Sequence, residues 1–156
     1  MSPVVSTEEL QSFLESVFPK IASNILEIGP GYMTLEQVTK PHDIRPGGTI
    51  SGPTMMALVD TAMYAVILGH IGIVALAVTT NLNINFLRKP EPGVLKAKAN
   101  LLKLGKQLAV GEVTITCNDD PRPVAHATCT YSPLPTQRKQ SIPRSTPTQT
   151  KKQQNE

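Results

Sequence analysis

The chain has 156 residues, a mass of 16.8 kDa and 40% hydrophobic residues, enough for one buried core and too little for two. Its formal charge of +3 is unevenly spread: residues 133–156 carry five Lys and Arg against Glu156 alone, and the rest holds ten basic against eleven acidic residues. The basic character therefore belongs to a tail and not to a folded nucleic-acid face, and three Phe, three Tyr and no Trp leave few platforms for base stacking.

Ser6 or Thr7 followed by Glu8 and Glu9, with Leu10, Phe13, Leu14 and Val17 on one helical face, predicts a capped amphipathic helix that Pro19 stops. This N-terminus has no basic n-region and no continuous apolar stretch, so it does not read as a secretory signal. A loop through Gly29, Pro30 and Gly31 leads to a strand over Tyr32 to Lys40, with Met33, Leu35 and Gln37 on one face, ended by Pro41. HDIRPGGTISGP, residues 42–53, lacks apolar periodicity and reads as a structured loop.

From Thr54 to Leu68 the residues are apolar all round, the pattern of a helix wrapped by other structure, and Gly69 and Gly72 release it. The apolar run Met55–Leu68 is shorter than the roughly 20 residues of a membrane span and contains Asp60. Four strand-like stretches follow, Val74–Leu87, Val94–Leu104, Gln107–Cys117 and Pro123–Tyr131, separated by turn sequences and read as a meander. Alternation is clear in Leu82, Ile84, Phe86 and in Val113, Ile115, Cys117. The plan is α+β with one antiparallel sheet. Residues 1–19 form an N-terminal helix, 20–132 the domain, and 133–156 a tail expected to be disordered for want of apolar side chains.

Cys117 and Cys129 fall in neighbouring strands and read as free buried thiols of a soluble, cytoplasmic protein. His42, His70 and His126 lack metal spacing, so no metal site and no cofactor are expected. Lys103, Lys106, Arg88 and Lys89 lie at strand ends and turns, and Asn81, Asn83 and Asn85 alternate on a polar sheet face.

Asp60 stands out as the only carboxylate in the apolar helix. An unpaired buried carboxylate costs several kcal/mol, roughly, unless it is hydrogen-bonded, paired or protonated. One explanation is structural, a salt bridge to Arg45 or a place at a solvated subunit interface. The other is chemistry: the helix opens at Gly52, placed at the cap by Pro53 in the first helical position, where free backbone donors make an oxyanion site. A carbonyl polariser and a carboxylate two turns further on describe hydrolysis of an activated acyl group, with Asp60 as general base or nucleophile.

GGTISGPTMMALVDTA, TTNLNINFLRKPEPGVLKAKANLLKLGKQLAVGEVTI and PVAHATCTY resemble a hotdog-fold thioesterase of the phenylacetate-degradation (PaaI-like) type, within the 4-hydroxybenzoyl-CoA thioesterase superfamily. The resemblance spans about residues 20–132. It implies a five- to six-stranded antiparallel sheet wrapped around one long helix, a homodimer or homotetramer, and an acyl-CoA substrate at the dimer interface. It implies Asp60 as the catalytic carboxylate, Gly52 as the amide that polarises the thioester carbonyl, and Thr79 as the hydroxyl that places the attacking water. Ser51 replaces the family's usual His and Pro53 a Gly, while Arg45 stands where an Asn or Gln is common. Arg45 and Ser51 are expected beside substrate, and Arg88, Lys89 and Lys106 near the phosphates of CoA. A non-catalytic acyl-CoA-binding dimer stays open as the alternative, and the basic tail as a contact for an acidic partner or membrane surface. A dehydratase ranks low, because His42 does not stand to Asp60 as that motif requires.

Overall fold

Long alternating strands with small inward residues and one apolar helix dictate the architecture of the computed structural model, which describes residues 1–20, 22–74 and 77–132. The elements are α1 (Thr7–Val17), β1 (Ser23–Gly29), β2 (Tyr32–Val38), a 3-10 turn (Pro41–Asp43), α2 (Gly52–Ile71), β3 (Val78–Phe86), β4 (Val94–Leu104), β5 (Ala109–Cys117) and β6 (Asp120–Ser132). All pairings are antiparallel, in the order β1-β2-β4-β5-β6-β3. This six-stranded sheet wrapped on α2 is the hotdog architecture.

The inward faces of β4, β5 and β6 carry Ala97, Ala99, Val113, Ala125 and Ala127, all fully buried. Such small side chains let the sheet close on the bulky helix. One close approach is at Gly111, where a Cβ would stand 2.7 Å from the Met63 side chain. On α2, every residue from Thr61 to His70 is buried. Although α2 is long and apolar enough to cross a membrane, with mean hydropathy 1.5, 78% of that stretch is buried inside the protein. Its N-terminal half is not wrapped all round: Pro53, Met56 and Ala57 are exposed and Asp60 half-buried, one stripe at helical spacing.

Several sequence readings are corrected. The segment read as loop before Tyr32 contains β1, whose bulge between Ile25 and Glu27 breaks the alternation that marks a strand. The four later strands are not a single meander. Only β4, β5 and β6 are, and β3 crosses to the far edge and pairs with β6. Ser51, not Gly52, is the N-cap of α2, its side chain accepting from the Thr54 amide, so Gly52 and Pro53 are the first two helical residues. α1 is capped by Ser6 and buries Leu10 and Leu14. It is stapled to β1 by the Gln11 amide, which donates to the Ser23 carbonyl (3.0 Å) and accepts from the Ile25 N–H (2.9 Å). The tail from 133 onward lies outside the described residues.

Candidate active site

The loop that sequence marks as structured is organised by Asp43, a buried carboxylate. Its Oδ2 accepts from the Lys40 N–H (2.8 Å), its Oδ1 from the Thr54 hydroxyl (3.0 Å), and its carbonyl from the Ser51 N–H (2.8 Å). These bonds pin the loop to the start of α2. They also consume the donors of Ser51 and Thr54 and leave the Gly52 N–H without an acceptor among the described residues. A free amide at a helix start is a donor for developing negative charge. The Phe86 ring lies over Gly52, 3.3 Å from where a Cβ would be.

Asp60 lies farther along α2, where Thr79 and Tyr131 reach it. The Thr79 hydroxyl donates to Asp60 Oδ1 at 2.6 Å. The Tyr131 hydroxyl also bonds that oxygen and lies 2.9 Å from the Asp60 carbonyl. Both hydroxyls thus converge on Oδ1, and Oδ2 has no partner among the described residues. Burial, followed by the bond to Asp60, raises the pKa of Tyr131 far above the usual phenol range, so this hydroxyl is a permanent donor. Cys129 is pushed up to about 12, chiefly by burial and then by the Asp60 charge, and is an inert thiol at neutral pH.

Parity alone would turn Thr79 outward with Asn81, Asn83 and Asn85. A bulge at Thr80 places Thr79 opposite Tyr131 while Asn81 pairs with Thr130, which swings Thr79 onto the α2 face. Asp60, Thr79 and Tyr131 then line a cleft of about 430 Å³ whose other walls include Phe18, Tyr64 and Val78. A second cleft of about 330 Å³ adjoins it through Ala57 and Thr61 and is lined by Ser51, Asp43, His42 and Lys20.

The other expected site residues are dispersed. Arg45 does not pair with Asp60: its backbone N–H and Nε bond the carbonyl and hydroxyl of Thr49 at 2.9 and 2.8 Å, which holds it on an exposed loop. Gly52 and Asp60 are eight residues apart on one helix, about 12 Å along its axis. That is too far for a single carbonyl to meet both in one chain. Arg88 and Lys89 follow β3 at the Phe86 end, and Lys106 sits in the β4–β5 turn at the end where Ala109 pairs with Tyr131. Arg88 and Lys89 thus form no cluster with Lys106 within one chain. His126 pairs with Glu112 at 3.1 Å on the outer sheet face.

Tyr131, Tyr64 and Phe18 escape the sequence reading. Tyr64 had a usable signal, as it follows Asp60 by four residues on the same helical face. Tyr131 and Phe18 reach the cleft only through sheet closure and the packing of α1.

Residues 47–124 match the sequence profile of the thioesterase superfamily. A Silicibacter sp. TM1040 protein assigned as a thioesterase is 44% identical, the match covering 85% of this chain and 94% of that one with a TM-score of 0.78. Zebrafish thioesterase superfamily member 2 shares the fold at 20% identity, covering 82% and 98% of the two chains, with a TM-score of 0.74. The Escherichia coli PaaI protein of the phenylacetic acid degradation operon does so at 20% identity, over 81% and 94%, with a TM-score of 0.68. No curated protein matches the chain.

Proposed function

The chain belongs to the thioesterase superfamily and is a thioester hydrolase of the PaaI-like hotdog type, and from that premise we propose that it hydrolyses an acyl-CoA at a site completed by two copies of the chain. The observation that carries this reading is Asp60 on the cleft wall, with Oδ1 held by two hydroxyls and Oδ2 left to react. Oδ2 either takes a proton from the attacking water or itself attacks the thioester carbon, which breaks the C–S bond, releases the CoA thiolate and leaves an acyl anhydride on Asp60 that water then hydrolyses. In the first route the water oxygen bonds the carbonyl carbon, the C–S bond breaks, and the thiolate of CoA leaves with the proton that Asp60 carries. The oxyanion between these steps needs a donor about 3 Å away.

That donor is the partner's Gly52. β3 is one of the two outer strands of the sheet, with an edge unpaired among the described residues, and it is the one that carries Thr79. Pairing it with its own copy about a two-fold through Asn83 keeps each face together, Leu82 opposite the partner's Ile84, and across the bulge at Thr80 sets Phe86 opposite the partner's Thr79. Because Phe86 covers Gly52 and Thr79 holds Asp60, the same operation brings Gly52 of one copy to Asp60 of the other. The exposed Pro53, Met56 and Ala57 stripe gains a cover in this arrangement. Arg88 and Lys89 of one copy and Lys106 of the other come to the same end of the joined sheet, where they meet the phosphates of CoA, with Arg45 and Ser51 on the Gly52 side of the substrate. Ser51 in place of His does not disturb this start, since it caps α2 with the Thr54 amide.

The test is steady-state release of free thiol from a panel of acyl-CoAs, with sedimentation in parallel. Turnover by a dimer or tetramer is expected. Tight binding of every acyl-CoA without thiol release would favour a non-catalytic binding dimer, and a stable monomer with full activity would overturn the shared site.

A further inference from the structure

Phe18 is the C-cap of α1, with its amide bonded to the Leu14 carbonyl and its ring edge-on to Tyr64 (centroids 5.6 Å apart, planes at 83°). Among the described residues lining the Asp60 cleft it is the one contributed by α1, and it lies outside the 47–124 stretch that matches the superfamily. Tyr64 stands one helical turn, about 6 Å, beyond Asp60. The aromatic pair therefore closes the cleft at a short distance from the reacting carboxylate.

The chemistry of the lining says which end of a CoA thioester enters here. Phe18, Ala57, Tyr64, Ala77 and Val78 form the walls around the hydroxyls of Thr61, Thr79 and Tyr131, and among the described residues no lysine, arginine or histidine lines the cleft. A diphosphate needs cations, whereas an acyl group needs apolar walls that end near the carboxylate. Behind Phe18 lies a narrow gap of about 10 Å³ beside α1, lined by Gln11, Leu14, Glu15 and Ser23. It shares Phe18 and Thr61 with the cleft, so these two side chains stand between the two spaces, and Phe18 is the larger of them.

We propose that Phe18 is the specificity-determining residue for acyl length: its ring ends the acyl pocket, so the enzyme takes compact apolar acyl groups, and removing the ring opens the pocket toward α1. This rests on the acyl-CoA reading above. Since each newly buried methylene raises selectivity about fourfold, Phe18→Ala should raise the ratio of kcat/KM for octanoyl-CoA over butanoyl-CoA at least about tenfold. Phe18→Trp should move it the other way, which guards against a variant that merely loosens α1. The same ratio, read from Kd values of the non-hydrolysable S-octyl- and S-butyl-CoA thioethers, tests the pocket without turnover. An inactive wild type whose binding ratio still follows residue 18 overturns hydrolysis alone and supports the pocket. Ratios unmoved within twofold in both folded variants overturn this inference and leave the thioesterase reading standing.

Discussion

The Thr79 hydroxyl lies 2.6 Å from Asp60 Oδ1, on the same oxygen that Tyr131 binds from the paired position on β6. Two donors on one carboxylate oxygen restrain the group and leave the other oxygen without a partner among the described residues, an arrangement that costs entropy in advance of substrate and none during reaction.

Asp60→Asn keeps shape and an acceptor for both hydroxyls while removing basicity and nucleophilicity. The variant should fold, assemble and bind acyl-CoA, and hydrolyse it at least about a hundredfold more slowly. Rates measured on one substrate for mutant and wild type check this, and equal rates would remove Asp60 from the reaction.

Tyr131 touches Asp60 and is buried behind it, so it acts as a positioning residue. Tyr131→Phe should lower kcat about tenfold or more with KM unchanged within about twofold, since the lost bond orients the carboxylate and not the substrate. In the Asp60→Asn background the same substitution should change the residual rate little. An equal loss in both backgrounds would mean that Tyr131 only supports the fold.

Gly52→Pro removes one N–H at the first helical position, where proline is well tolerated and where Ser51 already has extended geometry (φ −71°, ψ 150°). Two things work against it: the contact of the new ring with Phe86, and the helical conformation of a residue that precedes Pro53 and would now carry a Cβ. Thermal stability should change by about 1 kcal/mol or less, while kcat should fall about a hundredfold, the scale of losing one oxyanion donor. Retained turnover in the folded variant would exclude that amide.

Met56 is 42% exposed on the stripe that includes Asp60. In an isolated chain Met56→Glu should change stability by no more than about 0.5 kcal/mol. In a two-fold assembly it sets like charges facing each other, so sedimentation should show dissociation toward monomers, with activity lost in step. An unaltered, active assembly would place the interface elsewhere.

Composition and period were enough for α2, for the hairpins of β4, β5 and β6, and for Asp60, because each carries a local mark: an unbroken apolar run, strict alternation between turn residues, one acid in an apolar helix. Ser6, Leu10 and Leu14 marked α1 in the same way. β1 was hidden because its bulge interrupts the period that a reader counts.

Tertiary structure decided what depends on contacts between distant residues. Alternation in β3 assigns its two faces but not its neighbour, and the pairing with β6 and the bulge at Thr80 turned Thr79 inward against parity. Tyr131 meets Asp60 across 71 residues because the sheet closes over α2, and Phe18 reaches the cleft because Gln11 staples α1 to β1. Arg45 is held away from Asp60 by Thr49 on its own loop. The period of a sequence records which face of an element is buried, a local partition between water and core. Which elements meet on that buried side follows from chain closure and packing, whose partners lie far apart in sequence.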